Sequence, residues 1–377
     1  MKNDYLKAMR DGKSLSLSNL LAMTVRLSIP TMLAQVSIII MEYIDAAMAG
    51  RLGGGEDIRS DASVYFLINS LFLPVFQFNS ICIAMLQSSG NTKTPGILEA
   101  VMCFLDIPFN YVFIFVFHLG VKGAAVGTVL AETVMALPFG YFLFVKSPVF
   151  RFRRGEGVEI RKKELKRAVS ISLPLAFEQI VLCSAQIMST KIVAPLGTVA
   201  IAANSLAVTA EGLCYMPGYG IASAATTMLG QSIGAKRRDL QARLSYITVG
   251  VGMAIMGITG ALMYFLSPLM MRALTPVAEI AVLGAAVLKI EAFAEPLFAA
   301  SIVATGVFRG AGDTLVPSIM NLVSMWAIRI PLAAFLAPRI GLKGVWIAMC
   351  LELCARGIAF LVRLVIKNRR LVQNERI

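Results

Sequence analysis

The sequence predicts an all-α, polytopic membrane protein, and three observations carry that prediction. Hydrophobic residues make up 57% of the 377 and charged residues only 15%, where a soluble domain holds roughly 45–50% and about 25%. Three long runs, Ala62–Thr92, Gly212–Ala235 and Leu244–Met271, contain no Asp, Glu, Lys or Arg. A helix needs about 20 apolar residues to cross roughly 30 Å of hydrocarbon, and each run exceeds that. The third observation is that lysines and arginines collect on one side of the chain's hydrophobic segments.

Taken in order, the apolar stretches predict ten spans, at about 20–49, 62–89, 97–117, 123–145, 169–196, 199–233, 244–265, 278–307, 315–337 and 344–366. The first carries Pro30 and runs out at Gly50-Arg51; the second lies between Asp61 and Lys93. Lys93, Lys122 and Lys146 bracket the third and fourth. Arg167 and Leu196-Gly197 bound the fifth, and Lys236 closes the sixth. Arg243 and Arg272 flank the seventh, Arg309 follows the eighth, and Arg339 and Lys343 separate the last two. Sorted by side, 24 basic residues fall with the termini and six fall opposite. The positive-inside rule therefore places both termini in the cytoplasm, with the chain expected in the cell (inner) membrane. The net charge of +13 is read as a topology signal plus attraction to anionic lipid, not as a nucleic-acid footprint.

The domains expected are a cytoplasmic leader (1–19), an N-terminal lobe of about four helices (20–145), a basic cytoplasmic linker (146–168), a C-terminal lobe of about six (169–366) and a basic tail (367–377). Lys2, Lys7, Arg10 and Lys13 spread over a polar leader unlike a cleavable signal. The linker RFRRGEGVEIRKKELKR, Arg151–Arg167, reads equally as a solvated connection or a short helix on the membrane. With a single histidine, His118, no HExxH zinc site exists, and no GxxxxGK[ST] phosphate loop occurs. An enzyme is therefore not expected, nor ATP, a resident metal or any other cofactor. The six cysteines all lie in apolar segments and read as packing.

The chain also repeats itself. Ile29-Pro30 and Gln35 match Leu173-Pro174 and Gln179, and Leu52-Gly53 matches Leu196-Gly197, all offset by 144. Further on, Gly90, Thr92 and Pro95 match Gly312, Thr314 and Pro317, offset by 222. Ile107-Pro108 pairs with Ile330-Pro331 and Gly120-Val-Lys-Gly123 with Gly341-Leu-Lys-Gly344. Both copies run in the same sense, as in a parallel-type repeat of two helical bundles. The jump in offset means that the second lobe holds 78 residues which the first lacks, enough for two spans. The layout is thus 4 + 6.

Five stretches carry a family resemblance: YIDAAMAGRLG (Tyr43–Gly53), GNTKTP (Gly90–Pro95), IVAPLGTVAIAANS (Ile192–Ser205), MPGYGIASAATTMLGQSIGA (Met216–Ala235) and FRGAGDT (Phe308–Thr314). In this order, with Met325–Gly344, the chain resembles the MATE (multidrug and toxic compound extrusion) family of cation-coupled exporters. The resemblance implies two six-helix bundles around a central cavity, and exchange of organic, often cationic, compounds for H⁺ or Na⁺. Against that pattern this chain lacks the second and third helices of the first bundle, leaving about ten of twelve.

A carboxylate at bilayer depth costs about 2.5–3.5 kcal/mol or more, so each one asks for a reason. Asp45 matches the acidic residue of the first helix that the family uses for cation coupling. Asp106 and Asn110, at i and i+4, share a helix face; at the Asp106 position the family commonly has Asn, and some branches have the coupling Asp at the Asn110 position. Thr128 matches a position joined to that network in some members. Asp45, Asp106, Asn110 and Thr128 are therefore the cation-coupling candidates, with inter-helix hydrogen bonding as the equal alternative for Asn110 and Thr128. In the second lobe Glu178, Gln179, Glu211 and Glu295 are candidates for a cavity that attracts organic cations, with structural ion pairs as the equal alternative. Lys191 and Lys289 are possible partners for these acids, and Glu352 with Arg356 reads as a packing salt bridge. Gly123-xxx-Gly127 and Gly230-xxx-Gly234 invite close helix contact.

The expected activity is secondary-active efflux antiport by a monomer. Its partners would be small organic cations and the lipid bilayer, with no nucleic acid. The alternatives are a non-transporting, internally deleted remnant of such an exporter, and a lipid-linked oligosaccharide flippase of the same superfamily, which would need an arginine-rich cavity.

Overall fold

A computed structural model of the chain describes residues 5–11, 15–51, 58–151 and 162–373, and every regular element among them is helical. In chain order these are α1 (Tyr5–Arg10), α2 (Leu17–Arg51), α3 (Ile58–Leu71), α4 (Leu73–Ser88), α5 (Lys93–Tyr111), α6 (Gly120–Tyr141), α7 (Lys162–Val193), α8 (Thr198–Gly234), α9 (Arg238–Leu274), α10 (Ala278–Glu291), α11 (Glu295–Gly310), α12 (Leu315–Val323), α13 (Ile330–Ile340) and α14 (Leu342–Gln373). Wide π turns extend α5 over Val112–Val116 and α6 over Phe142–Lys146, and another, Ser324–Arg329, welds α12 to α13. Pro108 and Pro138 stand just upstream of the first two turns. Each removes a donor from the helix ladder, and a wide turn is one way to absorb the gap.

Among the described residues eight helices are long and apolar enough to cross a membrane, and the pair α3–α4, bent by 54°, makes a ninth. Pro74, in the first turn of α4, accounts for the bend: it has no N–H for the α3 ladder. The stretch 278–307, read from sequence as one span, is broken. α10 ends at Glu291 and α11 starts at Glu295. Pro296 opens α11; in a continuous helix its ring would collide with the Ala292 carbonyl.

The chain forms two compact units, Leu27–Gly157 and Met1–Arg26 together with Val158–Ile377. The division does not follow chain order at its start. The first turns of α2 belong with the second unit: Leu20, Met23 and Thr24 are buried there, and the Thr24 hydroxyl lies 3.8 Å from the Met228 sulfur.

In the first unit α5 packs along α6, with α3 and α4 also laid on α6. Cys82, Leu86, Met102, Met135, Phe139 and Leu143 form its core. In the second unit α8, α9 and α11 make the centre. α11 is buried almost along its whole length and crosses α8 at backbone contact: a Cβ on Gly306 would come 2.4 Å from the Ala222 carbonyl oxygen. Gly306 and Gly310 thus make the close crossing, whereas Gly234 has open space around it, so only the first of the two glycine pairs singled out in the sequence is a tight contact. The outer surfaces expose Phe66, Leu71, Phe104, Leu137, Ile258 and Phe265, as lipid-facing helices should.

Candidate functional site

In the first unit the polar side chains line one stripe. α5 presents Glu99, Cys103, Asp106 and Asn110 at steps of four, three and four residues, which keeps them on one helix face. Asp106 is 1% exposed and Asn110 fully buried. The Asn110 amide donates to Asp106 Oδ2 at 2.8 Å and reaches Thr128 Oγ1 on α6 at 3.5 Å. Three of the four coupling candidates are therefore brought together. Gly127 makes room for them: a Cβ there would stand 2.1 Å from Asn110 Oδ1 and 2.8 Å from its backbone nitrogen. Asp45 lies within the helical range of α2, but its side chain falls outside the described residues.

Two turns along the same stripe is a group that the sequence reading passed over. The Asn79 amide, on α4, donates 2.6 Å to Glu132 Oε2 and 2.9 Å to the Glu132 carbonyl. Glu99 is 6% exposed and stands near enough to Glu132 for the two carboxyls to repel. The signal was available. Both acids interrupt otherwise apolar spans, and Glu99 is i−7 from Asp106.

In the second unit Glu178 on α7 is held from two other elements. It accepts from Ser318 Oγ at 2.7 Å, from Asn321 Nδ2 at 2.7 Å and from Arg309 Nη2 at 3.2 Å. Glu352 accepts from Ser324 and pairs with Arg356 one turn along α14, at 3.2 Å. Arg356 also lies over the Phe298 ring. Glu211 on α8 is drawn to Arg329, whose field also reaches Glu291 and Glu352. Glu291 and Glu295, at the α10–α11 break, are fully buried, and none of their carboxylate oxygens has a hydrogen-bond partner.

Gln179 does not join Glu178; it is exposed and donates along its own helix to the Cys183 sulfur at 3.7 Å. The lysines were the wrong cations to consider. Lys191 is exposed, and Lys289 sits over the Tyr264 ring and lines, with Arg272, a cavity of about 580 Å³ where α9 meets α10. The arginines do the pairing. Arg309 comes from 131 residues beyond Glu178, a separation that local sequence patterns do not report.

Comparison with known proteins places this arrangement in context. The model of the MatE family matches residues 174–335. A probable multidrug resistance protein NorM of Thermotoga maritima is 29% identical over 309 residues, 80% of this chain, so that the chain spans 66% of that relative's length. A protein of the same description from Photorhabdus laumondii is 24% identical over 97% of this chain and 82% of its own. Among solved structures, a MATE crystal structure in complex with MaL6 superposes with a TM-score of 0.84 at 17% identity, covering 99% of this chain and all of that one.

Proposed function

We propose, from the match to the MatE family model and the likeness to NorM proteins, that the chain is a MATE-type secondary-active multidrug efflux antiporter, exporting lipophilic organic cations in exchange for H⁺ or Na⁺. The Asp106–Asn110–Thr128 triad carries the reading. It is a carboxylate sealed at bilayer depth and held by an amide from its own helix, where binding and release of one small cation change the local charge by a full unit. The incoming ion binds there, with Asp45 as the second coupling carboxylate, and its arrival favours release of the drug on the opposite side. Glu178, Glu211 and Glu295 supply the acidic side of the drug cavity, with Gln179 at its margin. Both termini lie in the cytoplasm. One charge crossing about 100 mV supplies roughly 2.3 kcal/mol, and a tenfold ion gradient adds about 1.4 kcal/mol. Together these sustain a substrate gradient on the order of several hundredfold.

The flippase alternative needs arginines free to hold pyrophosphate, and Arg309 and Arg356 face carboxylates instead. The test is ethidium efflux from energised, exporter-deficient bacteria expressing the chain. Asp106→Asn and Asp45→Asn serve as controls at matched membrane levels. Uncoupler-sensitive efflux is expected from the wild type and background rates from both variants. Wild-type rates in both would remove the two acids from coupling, and no efflux from a well-inserted wild type would favour the deleted remnant.

A further inference from the structure

The group on α4, α5 and α6 that lies beyond the triad has no role in the reading above. Asn79, 2% exposed, spends its amide hydrogens on Glu132, yet its own Oδ1 is buried without a partner. Glu99 Oε2 is likewise buried and unpartnered. Acceptors are thus in excess around Glu132, and what they lack is a donor. Buried polar atoms are rarely left this way, and leaving one unsatisfied costs about 1–3 kcal/mol.

We propose that Glu99 and Glu132 form a second proton site in the first unit, holding one proton between them. Asn79 donates to Glu132 and so marks it as the ionised member; Glu99 carries the proton, and its O–H is the donor that the cluster is short of. Two buried carboxylates within reach of each other's charge resist ionising together.

Among the described residues the surroundings supply no competing cation. On α5 the ionisable neighbours are Cys103, which lies in the field of both glutamates, and Asp106, two turns away. α4 contributes Cys82, a neutral thiol in the core. The described side chains of α3 offer Tyr65 alone. α2 approaches α5 where Pro30 meets Gly96, and between Leu27 and Met41 it has no ionisable side chain. Lys93 and Lys122 are exposed at the helix starts, and Lys146 lies over Phe142 at the far end of α6. A metal ion is the poorer occupant: no three His, Cys, Asp or Glu side chains among the described residues come together as a metal group. At about 1.5 Å per residue, Glu99 lies about 10 Å along α5 from Asp106, so the two sites are stacked and separate. The proposal concerns proton binding by the folded chain and does not depend on the efflux reading.

The test is pH-difference infrared spectroscopy of the purified wild-type protein and its variants in detergent. Raising the pH should bleach a protonated-carboxyl C=O band that is absent from both Glu99→Gln and Glu132→Gln, that shifts in Asn79→Ala, and that survives in Asp106→Asn. Should either glutamine variant fail to fold, the other reads the same proton. A wild-type band pattern in the glutamine variants would overturn the proposal. So would loss of the band on adding sodium at fixed pH, which would make the site a metal site. Efflux measured on the same variants separates the two readings. A missing band with intact ethidium export leaves the proton site standing without a part in coupling; an unchanged band with lost export leaves the transporter standing without this site.

Discussion

The two units bury carboxylates at similar depth and treat them differently. In the second, Glu178 and Glu352 meet Arg309 and Arg356 at 3.2 Å, and Arg329 stands among Glu211, Glu291 and Glu352. In the first, Glu132 and Asp106 accept from the Asn79 and Asn110 amides, which carry no charge, and the Oε2 of Glu99 has no hydrogen-bond partner. An arginine in contact with a carboxylate favours its ionised form. An amide holds it in place and leaves its charge to be decided by a proton. The contrast separates Glu178 and Glu352, which arginines anchor, from Asp106 and Glu132, which amides hold.

The largest effect should come from breaking an ion pair in the second unit. Arg356→Met takes from Glu352, fully buried, its paired arginine, and removing one partner of a buried pair costs about 3–5 kcal/mol. Thermal unfolding in detergent should show a large drop, while Asp106→Asn, which removes a charge from a site with no arginine, should melt close to the wild type. Equal melting of Arg356→Met and wild type would dissolve the contrast. Next is Gly127→Ala in the first unit. Its Cβ would displace Asn110, with an overpacking cost of about 1–3 kcal/mol and loss of ethidium efflux in proportion greater than the loss of protein. Unchanged export would show that the triad's geometry is not what matters.

The smallest effect tests the second unit's charge pairing outside the membrane. Asp313, between α11 and α12, is partly buried, which raises its pKa; hydrogen bonds from Lys367 at 2.9 Å and Arg363 at 2.6 Å outweigh this and hold the carboxyl below its ordinary value. A depressed folded-state pKa contributes stability that is present above the unfolded value, about 3.9, and lost as pH falls through the folded one. The melting difference between wild type and Asp313→Asn should therefore be flat from about pH 5 upward and fade below about pH 4. A difference that grows on acidification would reverse the assignment.

Much of the fold was legible because apolar length is local information. The runs flanking Lys93, Lys122 and Lys236 each became a helix near where the charges stopped. The interruption of the eighth stretch was not legible, because its hydropathy is continuous across Ala292–Ala294 while Pro296 breaks the backbone. In the site, Asp106, Asn110 and Thr128 were found as a group because their spacing and a family motif agree. Glu99 and Glu132 were missed because neither sits in a motif, although an acid inside an apolar span is itself a signal. The partners of Glu178 come from 131 to 143 residues away, and only the packing of α7 against its neighbours brings them together.

The break between α10 and α11 has a consequence for how the chain is made. Neither half, at 14 and 16 residues, has the length of a membrane-crossing helix, and the pair carries two acids at its centre, where each ionised group costs about 2.5–3.5 kcal/mol on insertion scales. Such a segment is a poor client for lateral release into lipid by itself. In the folded unit both halves pack on α8 and α9, which precede them in the chain, and entry against those helices would shield the two glutamates. Assembly of this unit is then ordered by synthesis, with α8 and α9 made before the segment that needs them, and deleting α8 and α9 while keeping the residues that follow should leave 278–310 outside the bilayer and in the path of proteolysis.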